Sequence, residues 1–210
     1  PHTSREDSWP RFTRRLATPL LAIALLGLAV APAHGANYYV NDTSTTNDQF
    51  CSQAWDGVGT GTAADPWSLT EFVTWVEGAG TQLFPGDTVF IDAGSYDIDS
   101  TNGIEIGTLE SGAAGSPVTI RGALLGTTRL TFVHDTAGTA RERIWNLTGA
   151  YLVLQDMVVH TARNAGGLLT GDGVGVFAQT TVCRNVTLRN LEVFGCLASG
   201  IFCYEPTTNY

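Results

Sequence analysis

Tyr151-Leu-Val-Leu-Gln-Asp-Met-Val-Val159 and Asn185-Val-Thr-Leu-Arg-Asn-Leu-Glu-Val193 follow one pattern. Leu152 matches Val186, Leu154 matches Leu188, Met157 matches Leu191 and Val159 matches Val193, at an offset of 186 − 152 = 34. In each copy an apolar–x–apolar run meets two polar residues and then a second apolar–x–apolar run. That is two very short strands joined by a sharp bend, at Gln155-Asp156 and at Arg189-Asn190. A strand of three residues makes too few hydrogen bonds to stand alone. It holds when an equivalent strand lies about 4.8 Å above and below it. The pattern therefore predicts stacked coils, a parallel β-helix, with Leu over Val and Asn over Asp. Gly175-Val-Phe-Ala178 and Gly200-Ile-Phe-Cys203 repeat too, at 200 − 175 = 25, so the loops between units differ in length. A β-sandwich is the alternative, and the repeat disfavours it.

Outward from this stretch the chain reads as many short strands with turns between them. They are Thr88 to Asp92, Gly103 to Gly107, Val118 to Gly122, Thr128 to Val133, Tyr151 to Val159, Val174 to Ala178, Asn185 to Phe194 and Gly200 to Tyr204. Aliphatics alternate in each, and Gly, Asn, Asp or Ser separates them. Upstream, Tyr38-Tyr39-Val40 is a short strand and Asn41 to Pro66 a polar loop. One helix follows. Ser68 and Glu71 form an S-x-x-E capping box, and Leu69, Phe72, Val73 and Val76 recur at helical spacing. Gly78 and Gly80 end it. Such a helix is suited to cover the open apolar end of a β-helix, with Phe72, Val73 and Val76 against the first coil.

Residues 1–35 read as a secretory signal peptide. Arg11, Arg14 and Arg15 precede the apolar run Leu16 to Val30, and Ala31, Ala33 and Gly35 supply the small residues of a cleavage site after Ala33 or Gly35. The apolar run is too short for a membrane anchor. Thr13-Arg-Arg-Leu16 matches a twin-arginine signal poorly, so ordinary export is expected. Residues 36–86 then form the N-terminal strand, loop and capping helix, and 87–210 the coils. Pro1 is no initiator, and the chain stops at Tyr210 just after a strand; the reading is the N-terminal portion of a longer protein. After cleavage seven arginines face 18 acids, 7 − 18 = −11, and the sequence has no lysine. That charge speaks against nucleic-acid binding, and no membrane span is expected after cleavage. A monomer is expected.

Several stretches resemble the right-handed parallel β-helix superfamily that includes pectate lyases. They are Tyr38-Tyr39-Val40 with its acidic loop, Trp67 to Phe72, Pro85 to Tyr96, Ser111 to Gly122 and Asn185 to Tyr204. The resemblance implies an extracellular polysaccharide as partner and, for an enzyme, lyase chemistry by β-elimination or glycoside hydrolysis. It equally covers non-catalytic surface and adhesion proteins. It implies catalytic residues and calcium ligands on later coils, beyond Tyr210, with no cofactor or metal in this segment. It also implies that the strand after the loop His160 to Asp172 borders a substrate groove, which makes His160 and Arg163 candidates for substrate contact. The stretch from Val40 through Cys51 to Leu69 also resembles secreted surface β-helix proteins that carry a second cysteine where this chain has Trp67.

The residues themselves add three expectations. If Val176 and Ile201 face inward, Phe177 and Phe202 face outward and stack, with Tyr204 beside them; exposed aromatic rows suit the flat faces of sugars. A covered or purely stabilising ladder is the alternative. Cys183 and Cys203 lie 203 − 183 = 20 apart, near one coil, so a disulfide between coils competes with buried thiols. Asp42, Asp48, Asp56 and Asp65 crowd the first loop without a calcium-loop pattern and read as turn formers.

Overall fold

The structure is a computed structural model. It describes residues 35–80, 82–98, 103–124, 128–132, 143–161, 174–179, 183–196 and 199–204. The leader reading therefore falls on residues outside the described set, Gly35 excepted.

The chain is largely β. One sheet holds seven strands: β1 (Asn37–Val40), β2 (Thr88–Ile91), β3 (Gly94–Ile98), β5 (Val118–Gly122), β6 (Thr128–Phe132), β8 (Leu152–Thr161) and β10 (Thr187–Phe194). A second sheet holds β4 (Ile104–Ile106), β7 (Arg143–Leu147), β9 (Val174–Gln179) and β11 (Ser199–Tyr204), in the order β11-β9-β7-β4. All pairings between these strands are parallel. Antiparallel sandwich pairing is thus absent among them. Membership alternates along the chain: β2 and β3, then β4; β5 and β6, then β7; β8, then β9; β10, then β11.

The seven-stranded sheet is bent along a line. The first half of β8 pairs with β5 (Ile120↔Leu154) and the second half with β6 (Leu130↔Val159). Between the halves Asp156 has φ 61°, and in β10 Asn190 has φ 50°. Asp and Asn tolerate this left-handed conformation better than other side-chain-bearing residues, so the polar pairs of the repeat are the bends. Leu188 pairs with Leu154, Leu191 with Met157 and Val193 with Val159, the register expected from the offset of 34. Asn190 Nδ2 donates to Asp156 Oδ1 at 3.0 Å, placing Asn over Asp. At the bend below, a Cβ on Gly122 would lie 2.1 Å from the Asp156 carbonyl oxygen, so only glycine lets these layers approach.

Strands β3 and β7 are additions to the sequence reading. Gly-Ser-Tyr-Asp-Ile offers only Tyr96 and Ile98 as an apolar alternation. Arg143-Ile-Trp-Asn-Leu147 buries four consecutive residues and so shows no period of two.

α1 spans Leu69–Val76. Ser68 Oγ accepts from the Glu71 amide at 3.2 Å, and Glu71 Oε2 accepts from the Ser68 amide at 2.8 Å. Leu69, Phe72 and Val76 are buried; Val73 is half-buried. The helix packs on β3 and β4, the first strands of their tiers, while β1 takes the first place beside β2. The segment 36–86 is thereby part of the same compact unit as the later strands. Buried Asp92, in the first bend, locks the Asn41–Pro66 loop to it. Its carboxylate accepts the amides of Gln49 (2.6 Å), Phe50 (2.8 Å) and Cys51 (2.6 Å).

Candidate functional site

Phe177 and Phe202 pair in register on β9 and β11 and stack with centroids 5.4 Å apart and planes 10° or less from parallel, at 9°. Asn146 of β7 occupies the preceding place of this row. Phe177 is not the open surface that the alternation suggests. The Arg143 guanidinium lies 3.4 Å from its ring centroid and donates to Asn146 Oδ1 at 3.0 Å, leaving Phe177 6% exposed. Phe202 is 38% exposed and presents the accessible face of the stack. Tyr204 follows on β11, its backbone paired with Gln179. Its side chain lies outside what the structure describes.

His160 belongs to the other sheet. It sits between Thr131 and Phe194 in register, and its ring stacks on Phe194 with centroids 4.4 Å apart. Arg129 Nη2 lies 3.0 Å from Nδ1, and its guanidinium carbon is 5.4 Å from the Phe194 centroid. Arginine only donates, so Nδ1 accepts and carries no proton. Burial, then the Arg129 charge, holds the imidazole below its ordinary pKa. A neutral imidazole with one nitrogen engaged is a contact residue more than a poised base. Arg163 lies outside the described residues. The two candidate patches, Phe177 with Phe202 and His160 with Phe194, are therefore on separate sheets.

Arg189 forms a ladder with the bend rather than a site: it donates to Gln155 Oε1, and Gln155 Nε2 donates to Asp156 Oδ2 at 2.8 Å. Arg121 Nε reaches the same Asp156 oxygen at 3.2 Å. Beside this ladder a cleft of about 210 Å³ is lined by Thr128, Asp156, Asn190 and Glu192, with Leu124 at its rim.

No disulfide joins Cys183 and Cys203. Cys183 is half-buried, and burial, with the nearby Cys203 sulfur, pushes its thiol pKa up. Cys203 stands in the inward row of Ile106, Leu147 and Ala178, yet it is exposed because β11 ends the sheet.

Three acids of the first loop are engaged by partners within it. Asp42 Oδ1 accepts the Ser44 amide at 2.7 Å, Asp48 Oδ2 the Asn41 amide group at 2.7 Å, and Asp65 Oδ2 the Thr60 hydroxyl at 2.7 Å. These are turn contacts, and among the described residues no three His, Cys, Asp or Glu side chains are grouped to hold a metal ion. Burial is the main cause that raises the Asp48 pKa, with Asp92 and Asp42 adding to it against the Asn41 hydrogen bond.

The sequence reading missed Arg143 and Arg129 as partners of the aromatics. Arg143 was hidden because β7 lacks alternation; aligning it with β9, Asn146 under Phe177, would have exposed it. Among the described residues no helix is long and apolar enough to cross a membrane. Comparison with family models, with curated proteins and with solved structures returns no match.

Proposed function

We propose that this chain is an exported, capped right-handed parallel β-helix of the pectate-lyase-like kind that binds extracellular polysaccharide. Any enzymatic action of the protein on that polymer is that of a lyase, by β-elimination. The alternating sheet membership and uniformly parallel register support the β-helix. The basic, then apolar, then small-residue order of residues 1–35 supports export and a place outside the cell or on its surface.

The observation that carries the binding reading is the Phe202 face stacked on Phe177, with the Arg143 guanidinium on the next ring along. A flat apolar face close to a guanidinium suits the ring and carboxylate of a uronate. Affinity electrophoresis in polygalacturonate or alginate tests it. The chain is retarded, and Phe202→Ala migrates as in plain gel; equal retardation of both would refute the site. The chain alone is expected to be silent in an unsaturated-product assay with calcium added. Turnover abolished by His160→Ala or Arg163→Ala would move the catalytic centre into this segment.

A second reading, a non-catalytic surface or adhesion protein, draws on the charge. A chain at −9, or −11 without residues 1–35, that has no lysine repels a polyuronate unless a cation bridges them. Retention of neutral polymers alone would favour it.

A further inference from the structure

Three Asn-x-Ser/Thr triplets stand in the sequence: Asn41-Asp42-Thr43, Asn146-Leu147-Thr148 and Asn185-Val186-Thr187. In an exported chain such a triplet is an acceptor for N-linked glycans where its asparagine lies in a surface loop or turn. The fold separates the three. Asn41 is fully buried, and its amide nitrogen donates to Asp48 Oδ2 at 2.7 Å and to the Gln53 carbonyl at 2.9 Å. Asn146 is buried within β7, where its Oδ1 accepts from Arg143 at 3.0 Å. An oligosaccharide on either nitrogen would have to displace the groups packed against it, so the folded chain carries none there.

Asn185 is the opposite case. It is exposed, in the turn that enters β10, with φ 56°. Tyr151, at 185 − 151 = 34 residues earlier, enters β8 with φ 53°, so this turn recurs in successive coils. Asparagine tolerates the left-handed backbone better than most residues. Val186 packs against the core, whereas Asn185 and Thr187 on either side of it are exposed. Both groups that a modifying enzyme has to reach, the acceptor amide and the hydroxyl two residues on, are thus open to solvent.

We propose that Asn185 receives an N-linked oligosaccharide as the chain is exported, and that Asn41 and Asn146 stay bare. The co-substrate is an oligosaccharide carried on a lipid pyrophosphate, and a membrane-bound oligosaccharyltransferase makes the transfer. A bond forms between Asn185 Nδ2 and C1 of the first sugar. The bond from C1 to the pyrophosphate oxygen breaks, and the lipid pyrophosphate leaves with that electron pair. One amide proton passes from Nδ2 to a base of the transferase. The inference rests on the export reading of residues 1–35 and is independent of polysaccharide binding.

Expression of the whole chain in cultured cells with an N-glycosylating secretory pathway tests it, in two arms. One arm keeps the chain's own leader, and the other replaces residues 1–35 with an unrelated cleavable leader. The chain in the secretory compartments and the medium is expected to show one mobility shift, removed by peptide N-glycosidase. That enzyme turns the modified asparagine into aspartate, and peptide mass spectrometry is expected to find this mark at Asn185. Asn185→Gln should abolish the shift. Thr187→Ala should abolish it too, which keeps the test open should the first variant fold poorly, and Thr187→Ser should retain it. No shift in the chain delivered by the unrelated leader, a shift that survives in both abolishing variants, or medium protein marked at Asn41 or Asn146 would each overturn the proposal. A chain modified in the second arm but held unmodified in the cytosol in the first would overturn the export reading instead.

Discussion

Ile104 and Ile201 stand in the same row of the four-stranded sheet, at its two ends. The row runs Ile104, Trp145, Val176, Ile201. The first three are fully buried, whereas Ile201 is 48% exposed. The other sheet repeats the contrast: Val89, Ile120 and Leu154 are buried, and Leu188 after them is only partly so. Identity and alternation are the same at both ends. What differs is the neighbour, α1 and β1 at one end and no described strand at the other. A layer of this fold is thus buried by the layer next to it and scarcely by itself.

This contrast can be broken at its covered end first. Phe72→Ala empties a fully buried site beneath α1 and should cost about 3–5 kcal/mol in denaturant unfolding. An unchanged midpoint would mean that the helix does not hold the first layer. Next, Leu154→Ala should cost about 2–5 kcal/mol. Leu188→Ala, its register partner, should cost about 1 kcal/mol. Equal losses would show that β10 is covered in solution as well as β8 is.

The smallest expected effect concerns His160. Its pKa in the folded chain lies below 6.5, through burial and then the Arg129 charge. The folded state therefore binds protons less readily than the unfolded state. The stability this contributes is present above pH 6.5 and is lost as pH falls through the folded value. Thermal melts of His160→Asn should lack that part of the acid-side decline. A decline identical to that of the parent chain would remove His160 as its source.

The sequence displayed some of this arrangement plainly. The bends at Asp156 and Asn190 were legible because polar pairs interrupt two matched apolar runs. The capping box was legible because Ser68 and Glu71 act within one turn. Strands β3 and β7 were not, since β3 offers only Tyr96 and Ile98 as an apolar alternation and in β7 Trp145 is buried between buried Ile144 and Asn146. Exposure along a row was illegible for another reason. It depends on what lies a whole layer away, which local pattern does not encode. Phe177 was placed on the right row, but its cover, Arg143, came from the strand that the pattern concealed.

The parallel register of β10 on β8 has a consequence for how such a chain is made. From β5 onward each strand finds a partner behind it in the sequence, 34 residues back in the case of Asn190 and Asp156. No described layer waits for one that is synthesised after the next. Residues emerging from a ribosome, or from the far side of an export channel, could therefore be laid down in order, each on a finished template. The polar bend acts as the alignment mark, because a slip of one residue would part Asn190 from Asp156 and turn Leu188 and Leu191 outward. Directional growth of this kind gives the amino end, with α1 and the Asp92 clasp, the role of a starting block that must be complete before elongation is productive.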